Sequence, residues 1–286
     1  MRPRFSYLLL CPVFVAAGCS LPAIVSAPKT VATGIASGGG LAAATIDAGQ
    51  FRLRAYHRGL HRDAARLHVY IEGDGHAWHR RHQLSSDPTP RDPVALRLAA
   101  KDKSPSVLYI ARPCQYLDES ELRDCDPKYW SSHRYSEAVV GAVDETITQL
   151  IESTNVSAVA LFGYSGGGAI AALLAARRDD AVSLVTVAGN LDHVAWTSHH
   201  EVAPLSGSLN PADIATKIAH LPQVHFVGDD DTIMPRAVAD SYKAMVPQSN
   251  RVTIQTLSAY GHRCCWEEVW PDPLCGHQSL NIPYCE

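Results

Sequence analysis

Ser157–Phe162 is nearly all apolar and runs straight into Gly163-Tyr164-Ser165-Gly166-Gly167. A strand that is apolar at successive positions is buried on both faces, which is the habit of parallel sheets covered by helices. Beyond the glycines, Ala169, Ile170, Leu173 and Leu174 recur at helical spacing, closed by Arg177 and Arg178, whose charges suit a helix C-terminus. Strand, tight turn and helix in that order put Ser165 on a strained elbow, exposed above the C-terminal edge of a sheet. The flanking glycines belong there because a Cβ would meet neighbouring backbone.

The same alternation extends along most of the chain. Strand patterns fall at 51–57, 67–71, 107–111, 183–188, 223–227 and 251–257. Helical stripes lie between them, one marked by Val139, Val143, Ile147, Leu150 and Ile151 and another over 235–246. Such spacing predicts an α/β fold with a doubly wound, mostly parallel sheet. No linker interrupts residues 45–286, so they read as one domain. Leu191–His220 is long for a connection and predicts a small cap insertion. With 25 Lys+Arg against 29 Asp+Glu, a net charge of −4, and no basic run longer than two residues, nucleic acid is not an expected partner.

The N-terminus reads as a targeting segment. Arg2 and Arg4 precede a 13-residue apolar stretch, Phe5–Ala17, too short to span a bilayer as a mature helix and suited to a signal peptide. It ends in Ala16-Ala17-Gly18-Cys19, which resembles the lipobox of bacterial lipoproteins, with Ala16 where Leu is usual. The resemblance implies a signal peptide over 1–18 and lipidation of Cys19. Ser20 after it implies an outer-membrane lipoprotein facing the periplasm, the alternative being a soluble periplasmic or secreted protein. Residues 19–44, rich in Ala, Gly, Ser and Thr, read as a flexible tether.

Six further cysteines agree with export, because an even number in an exported chain implies disulfides. Cys114 and Cys125 enclose a polar loop and are expected to pair. Among Cys264, Cys265, Cys275 and Cys285 a bond between neighbours is sterically poor, leaving 264–275 with 265–285, or 264–285 with 265–275. Adjacent Cys264 and Cys265 lack the gap of a zinc knuckle. His76, His79 and His82 recur every third residue without supporting acids, and read as a loop at a site rim. No metal and no cofactor is expected.

Beside the elbow, three places carry chemistry. Gly228-Asp229-Asp230-Asp231-Thr232-Ile233-Met234-Pro235 follows a strand and offers three acids that could orient a histidine; Asp192, also after a strand, is a fourth. Gly261-His262 follows the last strand. Glu72-Gly73-Asp74-Gly75 follows the strand at 67–71 and could offer an amide to an oxyanion, together with the amide of Gly166.

With GYSGGG at 163–168, GDDDTIMP at 228–235 and YGH at 260–262, the chain from about Thr45 resembles serine α/β-hydrolases. With its N-terminus it is similar to bacterial α/β-hydrolase lipoproteins. The resemblance implies Ser165 as nucleophile and His262 as base. The acid three residues after Gly228, Asp231, would orient the histidine. Many relatives have His-Gly where this chain has Glu72-Gly73, which leaves the second oxyanion donor between Asp74 and Gly75. The implied activity is cleavage of a small-molecule carboxylic ester or thioester through an acyl-enzyme, at a membrane reached through the lipid anchor. The alternative is a non-catalytic envelope scaffold on the same fold, which would have no need of the elbow.

Overall fold

The structure is a computed structural model that describes residues 27–60, 65–80, 82–246 and 250–285. The expected signal peptide and Cys19 lie outside the described residues. In chain order the elements are α1 (Pro28–Gly38), β1 (Ala42–Ala48), β2 (Phe51–Arg58), β3 (Arg66–Ile71), β4 (Trp78–Arg80), β5 (Gln83–Leu84), α2 (Val94–Lys101), β6 (Val107–Ile110), α3 (Glu137–Ile151), β7 (Ala158–Tyr164), α4 (Gly166–Ala175), β8 (Ala181–Val187), α5 (His193–His199), α6 (Pro211–Ile214), β9 (Gln223–Gly228), α7 (Arg236–Met245) and β10 (Val252–Leu257).

Eight strands form one sheet in the order β1-β2-β6-β3-β7-β8-β9-β10. β2 is antiparallel to both its neighbours, and every other pairing is parallel. The central strands β3, β6 and β7 are buried almost throughout, which explains why their sequences are continuous apolar runs rather than alternating ones. One apolar cluster holds Val139, Val143 and Ile147 of α3, Leu173 and Leu174 of α4 and Tyr242 of α7. The other holds Ala32 and Ala36 of α1, Val94, Leu96 and Leu98 of α2, and Trp266, Trp270 and Leu280 of the C-terminal tail. A sheet with apolar clusters of helices on both faces is the doubly wound architecture read from the alternation.

The tether reading fails over 27–44. Residues 28–38 form α1, with Ala32 and Ala36 buried, and 42–48 form β1 along β2. Alanine, glycine and threonine gave no hydrophobic period, because small residues pack a helix onto a core without a marked stripe.

Two insertions rise above the C-terminal edge of the sheet. One carries the β4–β5 hairpin, with Ala77 and Leu84 packed on Cys114, Cys125 and Trp130. The other is the expected cap over 191–220, which holds α5 and α6. Cys114 and Cys125 are bonded, as expected. The tail cysteines take neither expected pairing: Cys275 joins Cys285, which leaves Cys264 and Cys265 side by side before the tail. A turn at Gln278–Leu280, anchored by buried Leu280 and Ile282, folds the tail back on itself and brings the Cα atoms of Cys275 and Cys285 to 5.0 Å.

Candidate active site

β7 delivers Ser165 at its C-terminal end, and α4 starts at the next residue. Ser165 has φ 51° and ψ −120°, a conformation rare for a residue with a Cβ and held here by its surroundings. Its amide donates to Val187 O at 3.0 Å, and its carbonyl accepts from Asn190 N at 2.9 Å. The elbow closes only over glycine: a Cβ on Gly163 would lie 2.3 Å from Gly167 O, and one on Gly167 would lie 2.1 Å from Ile71 O.

The structure brings Ser165, His262 and Asp231 into one line of hydrogen bonds. Ser165 Oγ is 3.0 Å from His262 Nε2, and His262 Nδ1 is 2.8 Å from Asp231 Oδ2. The carboxylate beside Nδ1 fixes the proton there, so Nε2 is the acceptor facing Oγ. Asp231 follows β9 and is buried, and its Oδ1 accepts from the amides of Ile233 at 2.9 Å and Met234 at 2.7 Å. Three donors therefore fix the orientation of its carboxylate. The His262 carbonyl accepts from Tyr164 Oη and Trp266 Nε1, each at 3.0 Å, which holds the loop after β10 over the elbow.

The rival acids do other work. Asp229 turns away to Ser258 Oγ at 2.8 Å and Ala259 N at 2.6 Å, tightening the loop that bears His262. Asp230 is exposed. Asp192 caps α5, accepting from Val194 N and Ala195 N, and its other oxygen accepts from Ser241 Oγ at 2.6 Å.

The turn after β3 packs against the elbow. A Cβ on Gly73 would lie 3.3 Å from the Ser165 Cβ, and one on Gly166 would lie 2.1 Å from Asp74 Oδ1. Asp74 is thus the residue that abuts Gly166, whereas Gly75 turns toward Pro88. The Asp74 carboxylate accepts from Arg112 Nη1 at 3.2 Å, Arg134 Nη1 at 2.8 Å and Tyr135 Oη at 3.1 Å. Burial pushes its pKa up, but the two guanidiniums outweigh burial and hold the carboxyl below the usual range. Motif spacing gave no sign of Arg112, Arg134 or Tyr135, because they reach Asp74 from a separate loop and no local pattern links them.

Glu72 opens the turn after β3. It is fully buried, accepting from Gly73 N at 3.0 Å, Tyr109 Oη at 3.0 Å, and Ala95 N and Leu96 N at 3.4 Å, in the first turn of α2. Burial pushes its pKa up to about 7 against those bonds. It pins the turn after β3 to α2, from behind Gly73.

Above Ser165 and His262 lies a cavity of about 400 Å³, walled by Trp78, Trp196, Ile233 and Met234 and by Arg91, Arg134 and Arg263. Trp196 Nε1 donates to Ile233 O at 2.8 Å, so the cap is tied to the loop that carries Asp231. His76 lines the cavity, its ring 6.1 Å from that of His79, and His82 is exposed. Among the described residues no three His, Cys, Asp or Glu side chains are grouped to hold a metal.

No protein-family model and no curated protein matches this sequence. Solved structures do resemble it. Est1E from Butyrivibrio proteoclasticus is 15% identical with a TM-score of 0.57, over 81% of this chain and 95% of its own. An esterase of Pyrococcus furiosus is 10% identical with a TM-score of 0.58, over 98% of both chains. A proline iminopeptidase of Mycobacterium smegmatis is 12% identical with a TM-score of 0.59, over 85% of this chain and 98% of its own. These likenesses, the strand order and the elbow after β7 together give this chain the α/β-hydrolase fold.

Proposed function

We propose that the protein is a serine hydrolase that cleaves a carboxylic ester or thioester through an acyl-enzyme. The observation that carries this reading is the unbroken line Ser165 Oγ–His262 Nε2–His262 Nδ1–Asp231 Oδ2, at 3.0 and 2.8 Å, opening into a walled cavity. Ser165 Oγ attacks the carbonyl carbon while His262 Nε2 takes its proton. Asp231 stabilises the imidazolium that results. The amides of Gly166 and Asp74 are assigned to the oxyanion, with the first turn of α4 adding its positive end. His262 then returns the proton to the departing alcohol or thiol. A water attacks the acyl-enzyme by the same route, so ester and water leave as acid and alcohol. Esterases among the structural relatives support an ester as substrate, and the iminopeptidase among them makes amides the natural counter-test.

A fluorophosphonate probe tests the reading directly. The wild-type protein should be labelled at Ser165, and Ser165→Ala should neither be labelled nor hydrolyse chromogenic esters, losing about 10³-fold or more in turnover. A labelled or active Ser165→Ala variant refutes the assignment.

The reading extends to location: an exported enzyme tethered to the bacterial envelope through a lipid on Cys19, supported by Arg2, Arg4, the apolar stretch and the Cys114–Cys125 bond. Radiolabelled palmitate should enter the full-length chain and not its Cys19→Ser variant; label in the variant refutes the anchor.

A further inference from the structure

The cavity over Ser165 is lined by as many acids as arginines, but the acids are engaged elsewhere and two of the arginines are left facing it, although the chain as a whole has a net charge of −4. Three arginines line it: Arg91, Arg134 and Arg263. Of the acids in its wall, Asp92 is held by Arg97 Nε at 2.9 Å, and Asp74 by both Arg112 and Arg134. Glu72 faces away, into Tyr109 and the amides of α2. Arg91 and Arg263 are exposed, and among the described residues neither has a carboxylate within 4 Å. His76 stands in the same wall with Nε2 buried and without a partner among the described residues. Burial, then the charge of Arg91 and further that of Arg263, hold the His76 pKa below its ordinary value, so the imidazole between them stays neutral and both cations act on the cavity. Trp78, Trp196, Ile233 and Met234 form the apolar part of the wall: Trp78 and Ile233 are 43% and 45% exposed, and Trp196 lies 5.9 Å from the Arg134 guanidinium.

Resting on the hydrolase reading above, we propose that the substrate is an amphiphilic ester bearing a carboxylate or phosphate, taken by Arg91 and Arg263 while its apolar chain lies on Trp78, Trp196 and Ile233. Unpaired guanidiniums at a partly enclosed cavity mouth attract and orient an oxyanion, and a bidentate fit fixes the distance from anion to scissile carbonyl. The two arginines thereby select among esters that Ser165 would otherwise attack alike.

The test compares matched esters with and without the anion. The carboxylate pair is para-nitrophenyl hydrogen glutarate against para-nitrophenyl pentanoate. The phosphate pair is a monoacylglycerol phosphate against the same monoacylglycerol. In at least one pair the wild-type enzyme should favour the anionic ester in kcat/KM by about 10-fold or more, and less at about 0.5 M salt. Whichever pair shows the preference names the anion. The Arg91→Ala/Arg263→Ala variant should lose that preference. A wild-type ratio of one or below in both pairs, or a ratio untouched in the double variant, overturns the proposal. Should no ester be turned over, the hydrolase reading fails while the cavity stays testable. Tryptophan fluorescence of Ser165→Ala titrated with monomethyl and dimethyl glutarate, and with glycerol phosphate and glycerol, should then report tighter binding of at least one anion, and equal binding throughout refutes it.

Discussion

His262 and His68 each hold an aspartate through Nδ1, at 2.8 and 2.7 Å, yet the two pairs are built for different ends. His262 sits in the loop after β10, with Nε2 on Ser165 Oγ and the cavity above it. His68 sits inside β3, with no exposed surface and its ring 5.1 Å from Phe162. Its Nε2 is buried without a partner among the described residues. Asp102, at the end of α2, also accepts from Tyr70 Oη at 2.6 Å, and Tyr70 Oη accepts from Trp270 Nε1 at 3.2 Å. Burial pushes Asp102 up, and the bonds from His68 and Tyr70 overcome it and hold the carboxyl below its usual range. A His–Asp pair therefore does not make a site. The pair at the C-terminal edge has a nucleophile on its free nitrogen and open space above it; the pair in the core has neither, and fastens β3, α2 and the tail together.

The sharpest way to break this comparison is to make the same change in each aspartate. Asp231→Asn should lower kcat of the folded fraction by about 10⁴-fold, because an amide misplaces the histidine proton. Near-normal kcat in that variant would move the orienting acid elsewhere. Asp102→Asn should do the opposite. It leaves His68 and Tyr70 without a charged acceptor in a dry environment and should cost about 3 kcal/mol of stability, with kcat of the folded fraction within a few-fold of wild type. A loss of kcat there without a loss of stability would show that the core pair reaches the site.

Glu72 lies between the two in character: buried like Asp102, adjacent to the elbow like Asp231. Its pKa of about 7 in the fold against an ordinary 4.5 means that the folded protein retains a proton the unfolded chain has released. Stability should therefore fall as pH rises from 4.5 to about 7 and level off above, by about 3 kcal/mol in all from this group. Glu72→Gln should flatten that slope in urea unfolding across the pH range. An unchanged slope would mean that Glu72 is ionised throughout. The smallest effect belongs to exposed Asp230, one residue from Asp231. Its change to Asn should alter stability by less than about 0.5 kcal/mol and leave kcat/KM near wild type. A large loss there would show that the loop, and not one carboxylate, is what His262 requires.

Much of this was legible in the chain because it depends on neighbours in sequence. Burial on both faces writes continuous apolar runs, and the strands at β3, β7 and β9 were readable within two residues. The elbow was readable because its glycines are required by backbone atoms within a few positions or on the adjoining strand. Ser165, Asp231 and His262 each follow a strand, and parallel strands deliver their C-terminal ends to one edge.

What only the tertiary structure decided involves residues with no local reason to be where they are. α1 lies inside the expected tether because alanine and glycine write no stripe, and its seat beside α2 orders it. Cys275 pairs with Cys285 because buried Leu280 and Ile282 fold the tail back there, which cysteine spacing does not record. Asp74 was read for its amide, yet its carboxylate gathers Arg112 and Arg134 from 38 and 60 residues away. Arg91 and Arg263 stand far apart in sequence and become neighbours of one cavity only when the turn before α2 and the loop after β10 meet over the sheet. Sequence periodicity records which side of a strand or helix is dry; it does not record which distant charges the fold will set facing one another, because that depends on contacts between segments whose own local structures are indifferent to them.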